Sequence, residues 1–404
     1  MTNAGRDVGT PRPSARPVVM ATASTVAGGL PLFLVGALAA QLTEELVFGA
    51  AALGAAVGLA QAIRAGAAAV LGRVVDRLGA SRSLRLAMLA SAMSAAGIAF
   101  FADSWGTLVP WLMLTAVAHA MGQPAANRLM VNRTRPERLG TAFGIKQAAP
   151  PTATMLAGLS VPVLAVTVGW RWAYGFAAVL ALVVALFIRR PVGAGHPERR
   201  AERMAQARVR LHDPTAIAII AAGFGMAFAA SAVVLTFYVD ANVAAGGTAS
   251  FAGVLLACAS VAAIATRLSV GIACDRTAVD PLRICAGLLL VGALGHVLLA
   301  FDRPGIMGAG ILVALVGTWG FASAFWVAIM RAYAATPGRV TGAMAPGVFL
   351  GGVVGPVLFG LAVEHISYPV AWVSAALVAV AAAVTFLLAS RRLSSQPATL
   401  TAEG

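Results

Sequence analysis

The feature that most constrains this chain is a succession of apolar runs, each about as long as a membrane is thick. A bilayer core takes roughly 20 consecutive apolar residues as helix. In lipid, a spanning backbone must satisfy its own polar groups. Twelve stretches meet that length: 18–40, 47–72, 84–102, 106–130, 139–168, 171–189, 214–239, 248–273, 281–301, 305–330, 340–363 and 368–389. The first resembles a secretory signal, with Ala37-Leu38-Ala39 as a mock cleavage site. It is longer than the roughly 7–15 apolar residues of such a signal and is followed by many more spans, so it reads as a transmembrane helix.

Composition agrees. The chain is 60% hydrophobic and 11% charged, with a mean hydropathy of +0.87. Soluble domains carry roughly 25% charged residues. The net charge of +14 raises the question of nucleic acid. A nucleic-acid binder gathers its basic residues on one face. Here they sit in short clusters between apolar runs, so a nucleic-acid partner is excluded. Cys258, Cys274 and Cys285 lie in or beside apolar runs, without metal or disulfide spacing, and read as small buried side chains.

The basic residues also report topology. Of 29 Lys and Arg, four (Arg64, Arg128, Lys146, Arg267) are assigned to the membrane, and those at the edges of runs (Arg85, Arg171, Arg189, Arg283) to the adjoining loops. If both termini are cytoplasmic, only Arg171 and Arg303 fall outside, and the remaining 23 are inside. The outer loops instead carry Glu44, Glu45, Asp103, Asp240, Asp302 and Glu364. That asymmetry is the positive-inside bias of an even-numbered bundle in a cell inner or plasma membrane. The longest interruption, Arg189–Asp213, is rich in arginine and divides the spans six and six. The expected organisation is a cytoplasmic tail (1–17), a six-helix bundle (18–189), a linker (190–213), a second bundle (214–390) and a tail (391–404). The linker arginines suit anionic lipid headgroups.

Two charged segments mark the repeat. Gly72-Arg-Val-Val-Asp76-Arg77-Leu-Gly79-Ala-Ser-Arg82 reads as a short hinge between the second and third spans. A weaker copy, Gly271-Ile-Ala-Cys-Asp275-Arg276, lies 199 residues on. Arg138 and Arg339 repeat at an offset of 201, and Trp170 and Trp372 at 202. The pattern G-x-x-x-D-R-x-G-x-x-R, with six-plus-six architecture, resembles the major facilitator superfamily over essentially the whole chain. The resemblance implies an all-α integral membrane protein of twelve transmembrane helices in two pseudo-symmetric six-helix bundles. It implies a latch of Gly72, Asp76, Arg77, Gly79 and Arg82, with Asp76 bearing on the start of the eleventh helix near Arg339–Gly342. Asp275 and Arg276 are the second copy, which lacks the later glycine and arginine.

Ionisable residues inside a membrane are costly and mark function. Lys146 is the chain's sole lysine, within Gly144-Ile-Lys146-Gln147. It reads either as a cation receiving an anionic solute, with Gln147 beside it, or as a residue that snorkels or packs. Arg64 lies deeper than snorkelling favours and points to a pore role. Arg267, one turn before Gly271, reads as a cytoplasmic-end residue, and Arg128 similarly. His119 and His296 read as packing histidines. Trp319, Phe325 and Trp326 fall in the tenth span, which lines the central cavity in the superfamily. They either shape a pocket for an aromatic or amphipathic solute or simply pack.

No Asp or Glu falls near the middle of any span. Exporters of cationic drugs commonly need one there. The Gly-Pro mark that the superfamily's drug–proton antiporters carry in the fifth helix stands instead in the eleventh, as Gly351, Gly355 and Pro356. Neither a phosphate loop, a catalytic triad nor a metal cluster is present, so no enzyme and no cofactor is expected. The reading is a monomeric secondary transporter working by alternating access. It takes up a small organic anion with protons, the alternative being proton-coupled efflux of drugs or secondary metabolites.

Overall fold

A computed structural model describes residues 16–134, 139–188, 213–277, 279–333 and 337–394. Most of the expected tails and linker, and Arg138, lie outside the described residues. Among those described, the chain is helical and has no strand. In chain order the helices are α1 (Arg16–Ala37), α2 (Ala39–Glu45), α3 (Ala50–Leu78), α4 (Ala80–Phe101), α5 (Trp105–Arg133), α6 (Leu139–Gln147) and α7 (Ala149–Ser160). There follow α8 (Trp170–Phe187), α9 (Pro214–Ala244), α10 (Ala249–Arg276), α11 (Pro281–Leu299), α12 (Pro304–Ala332), α13 (Pro337–His365) and α14 (Tyr368–Ser394). A π-helical turn, Val161–Ala165, prolongs α7.

Each expected span corresponds to one of these elements, with α6, α7 and the π turn together forming the fifth. Among the described residues, eleven helical stretches are long and apolar enough to cross a membrane. The span outside that set is α5, which is 29 residues long but carries His119, Gln123, Asn127 and Arg128. Its polarity belongs to the site described below. Large apolar side chains such as Trp172, Val163, Leu350 and Leu377 are more than 60% exposed, which suits a surface solvated by lipid.

Helix ends follow local chemistry rather than hydropathy. Asp213, Thr248 and Asp280 accept backbone N–H groups at the starts of α9, α10 and α11, and Ser104 forms a capping box with Thr107. Proline opens α9, α11, α12 and α13, where its missing N–H is not needed.

The charged segment 72–82 is therefore not the loop its hydropathy suggests. Helix α3 continues through Gly72, Asp76 and Arg77 to Leu78, and α4 begins at Ala80 with Arg82 in its first turn. Gly79 alone makes the turn, at φ +81°, which its lack of a side chain permits. The apolar run stops where the hydrocarbon would stop, and the helix goes on. Asp275 and Arg276 are likewise the last residues of α10. Cys274 and Cys285 are buried as expected, but Cys258 is exposed, because α10 is apolar on its outer face as well.

The core explains how the halves sit. One buried cluster runs through both, from Leu34 and Leu53 to Phe237, Leu256 and Trp372. Two further clusters are each confined to one half: Ala21, Val75, Leu84 and Met130 in the first, Ile217, Leu282, Phe325 and Met344 in the second. The shared cluster lies toward the face of Glu45, Asp240 and Glu364, here called the acidic face. The separate clusters lie toward the basic face, that of Asp76, Arg77, Arg82 and Arg276.

Candidate functional site

The halves touch tightly on the acidic face. A Cβ on Gly36 would overlap the carbonyl of Leu235, and one on Gly54 the carbonyl of Pro356. Gly158 packs on Gly253 and Ala257 in the same way. Small residues at these crossings let backbones meet where no side chain fits. Polar contacts seal the rim: Thr43 donates to Asp240 at 3.3 Å, and the N–H of Ala51 donates to Glu364 at 2.9 Å. Among the described residues, the buried core joins the halves toward the acidic face and divides between them toward the basic face.

Between the ends lies a polar chain in the first half. His119, Gln123 and Asn127 are spaced four residues apart and share one face of α5. Lys146 of α6 reaches that face, donating to Gln123 Oε1 at 2.8 Å and Asn127 Oδ1 at 2.6 Å. Gln123 Nε2 lies 3.1 Å from His119 Nε2. Lys146 is 5% exposed, which rules out snorkelling to the interface. Arg64 lies 14 residues before the end of α3, about 21 Å along the helix. It donates to Gln61, and both it and Lys146 lie within electrostatic reach of His119.

The second half contributes Arg267 and aromatic rings. Arg267 donates from Nε to the Trp319 carbonyl at 2.8 Å and from Nη1 to the Gln147 carbonyl at 2.5 Å, across the two halves. Its guanidinium stands 5.2 Å from the centre of the Trp319 ring, which meets Phe33 of the first half in a T-shaped arrangement with 6.0 Å between ring centres. Arg267 is thus no end-of-helix residue. It lies nine residues inside α10, about 13 Å from its end. Trp326 packs with Phe224 and Phe325 in the core of the second half. His296 is buried between the carbonyls of Gly292 (2.8 Å) and Ala230 (3.1 Å), as a packing histidine would be.

Of the residues singled out in the sequence, Arg267 bonds across the halves to Gln147 and Trp319 meets Phe33 of the first half, while Lys146 and Arg64 bond within the first half. For Gln147 it is the backbone carbonyl that bonds across the halves. Gln123 and Asn127 escaped the sequence reading because neutral amides cost less in a membrane than charges. Their i, i+4 register with His119 was the available signal. At the basic end, Asp76 pairs with Arg128 of its own half. The side chain of Arg339 lies outside the described residues, and with it the expected contact with Asp76. Arg77, Arg82, Asp275 and Arg276 are exposed and make no side-chain hydrogen bond or ion pair among the described residues.

Two helical bundles meeting around a polar region are the architecture of a secondary transporter. The chain belongs to the Major Facilitator Superfamily, whose family model matches residues 19–346. It is accordingly a multi-pass membrane protein that moves small solutes, and not an enzyme. No curated protein sequence matches the chain. Among solved structures it is similar to a bacterial homologue of the human lysosomal transporter Spinster in an inward-facing and occupied conformation. That match has a TM-score of 0.74 at 14% identity, covering 95% of this chain and 98% of the other. It is also similar to a D-xylose–proton symporter, with TM-score 0.71, 14% identity and 91% and 96% coverage. The nucleoside transporter NupG gives 0.70 at 17% identity, with 92% and 99% coverage. At these identities the likeness establishes the fold alone.

Proposed function

We propose that this transporter carries a small organic anion, taken up with protons across the cell membrane, with both termini cytoplasmic and the basic face inward. The observation that carries the reading is Lys146: a buried ammonium whose two partners, Gln123 and Asn127, are neutral amides. A charge at the bilayer centre costs roughly 2.5–3.5 kcal/mol or more. A cation kept there without a carboxylate among the described residues is poised for one brought by the solute. Arg64 and Arg267 share that condition, being bonded only to neutral oxygens. Arg64 and Gln123 set the polar wall, and Trp319 supplies an apolar surface for the solute's carbon skeleton. The protein works as a monomer, the two halves rocking about the solute, with Asp76, Arg77 and Arg82 holding the basic face when it closes.

Uptake into proteoliposomes with an imposed pH gradient tests this, comparing monocarboxylates and dicarboxylates with lipophilic cations. Acid uptake that collapses in Lys146→Ala is the expected result. Cation movement indifferent to Lys146→Ala transfers the case to efflux of drugs or secondary metabolites, the reading for which Gly351, Gly355 and Pro356 speak. In this structure those residues pack against Gly225 and Ala229 of α9 and face Gly54 of α3, which is a structural task independent of transport direction.

A further inference from the structure

Helix α6 ends at Gln147 and α7 begins at Ala149 because of two consecutive prolines. In an α-helix the N–H of residue i serves the carbonyl of residue i−4. Pro150 and Pro151 have no N–H, so the carbonyls of Lys146 and Gln147 lose their helical donors. The N–H of Thr152 keeps its ordinary partner, the Ala148 carbonyl. The orphaned Gln147 carbonyl is filled from the other half, by Arg267 Nη1. This is a weak partner for a guanidinium, which prefers a planar pair of anionic oxygens. It sits one residue from Lys146, whose partners are also neutral.

We propose that Arg267 is the second half's solute ligand, resting here on the Gln147 carbonyl and exchanging it for the second acidic group of a dianionic solute whose first acidic group is held by Lys146. The inference rests on the anion reading above and adds to it the charge of the solute and the means of coupling. Arg64, Lys146 and Arg267 place three positive charges in the site with no carboxylate partner among the described residues. A monoanion would leave two of them uncompensated on closure, and a dianion one. A solute gripped by Lys146 on one half and Arg267 on the other binds the closed arrangement better than the parted one. That differential affinity is what lets occupancy drive closure.

The test uses purified full-length protein and the fluorescence of Trp319, beneath Arg267, with Trp319→Phe as the control for signal origin. Succinate is titrated against butyrate, which has the same carbon number and one carboxylate. Succinate should bind the wild type about tenfold or more tightly than butyrate. Arg267→Gln should bring the two within about twofold by weakening succinate alone, and Arg267→Lys should restore part of the preference. Size-exclusion profiles matching wild type show that the variants are folded. Equal affinity of the wild type for both acids, or equal weakening of both by Arg267→Gln, overturns the proposal. If butyrate then still binds and Lys146→Ala abolishes it, the anion reading survives alone. If neither acid binds while tetraphenylphosphonium does, both readings fall.

Discussion

The Glu364 carboxylate at the end of α13 accepts the backbone N–H of Ala51 in the first turn of α3, 2.9 Å away and in the opposite half. It is an anion at a helix N-terminus, where unsatisfied N–H groups and the helix dipole favour negative charge. Asp76, at the other end of the same helix α3, is bonded within its own half. The two carboxylates thus mark opposite ends of the α3–α13 seam, one engaged across the halves and one not.

Removing the Glu364 charge should therefore weaken closure of the acidic face. Such a contact contributes about 0.3–1 kcal/mol, so Glu364→Gln should shift the balance of conformations roughly two- to fivefold. Spin labels at Val47 and Ile366, both exposed and in different halves, report the distance between the halves. A longer-distance population in Glu364→Gln is expected, and an unchanged distribution refutes a role for Glu364 in closing the acidic face.

At the basic face, Asp76 and Arg128 are 63% and 30% exposed, so their pair contributes only about 0–1 kcal/mol to folding. Asp76→Asn should leave membrane yield and melting unaltered. If Asp76 serves mainly in the conformation with the basic face closed, turnover still falls several-fold in that variant. Arg128→Ala removes the pair and spares the carboxylate, so it should retain more flux than Asp76→Asn. Equal losses would assign the effect to the pair itself.

The helix count and the two-bundle plan were legible because hydropathy and basic charge both follow the bilayer. Helix ends were not, since they answer to Gly79, Asp213 and Ser104 rather than to lipid. Lys146 stood out as the one lysine, in an apolar run. Arg267 was misjudged for a different reason. Its partners are backbone carbonyls of Gln147 and Trp319, freed or aligned only by the fold, and a carbonyl leaves no mark in a sequence. The Pro150-Pro151 pair did leave one: two missing donors, one of which leaves the Gln147 carbonyl to Arg267.

Acid should loosen the start of α9. Hydrogen bonds from Arg392, and then the N–H of Ala216, hold the Asp213 carboxyl below its ordinary value. At Glu45, burial pushes the other way but is outweighed by the bonds from Arg171 and Trp170, so its carboxyl is also lowered. A lowered carboxylate contributes stability above its unfolded value, near 4, and loses it as pH falls through the folded value. Melting of wild type should decline below about pH 4. Asp213→Asn keeps an N-cap that tolerates the left-handed φ of 46° but loses the ion pair. Its melting curve should be flatter in that range, and a curve parallel to wild type would show that Asp213 is not a source of the slope.

The neutrality of the partners of Lys146 can be reversed. Gln123→Glu or Asn127→Asp places a carboxylate within reach of the ammonium, at the positions now 2.8 and 2.6 Å from it. The internal counter-ion satisfies Lys146 and competes with a solute's carboxylate for it. Anion affinity should fall about tenfold or more, while melting stays level or rises. Gln123→Met does the opposite, because it leaves the buried ammonium one acceptor short at a cost of about 1–3 kcal/mol. The unliganded protein should then melt lower, and a bound anion should raise its melting point by more than it raises that of wild type. Thermal shifts with and without a dicarboxylate separate the two cases. If Gln123→Glu binds the acid as well as wild type, then Lys146 does not receive it.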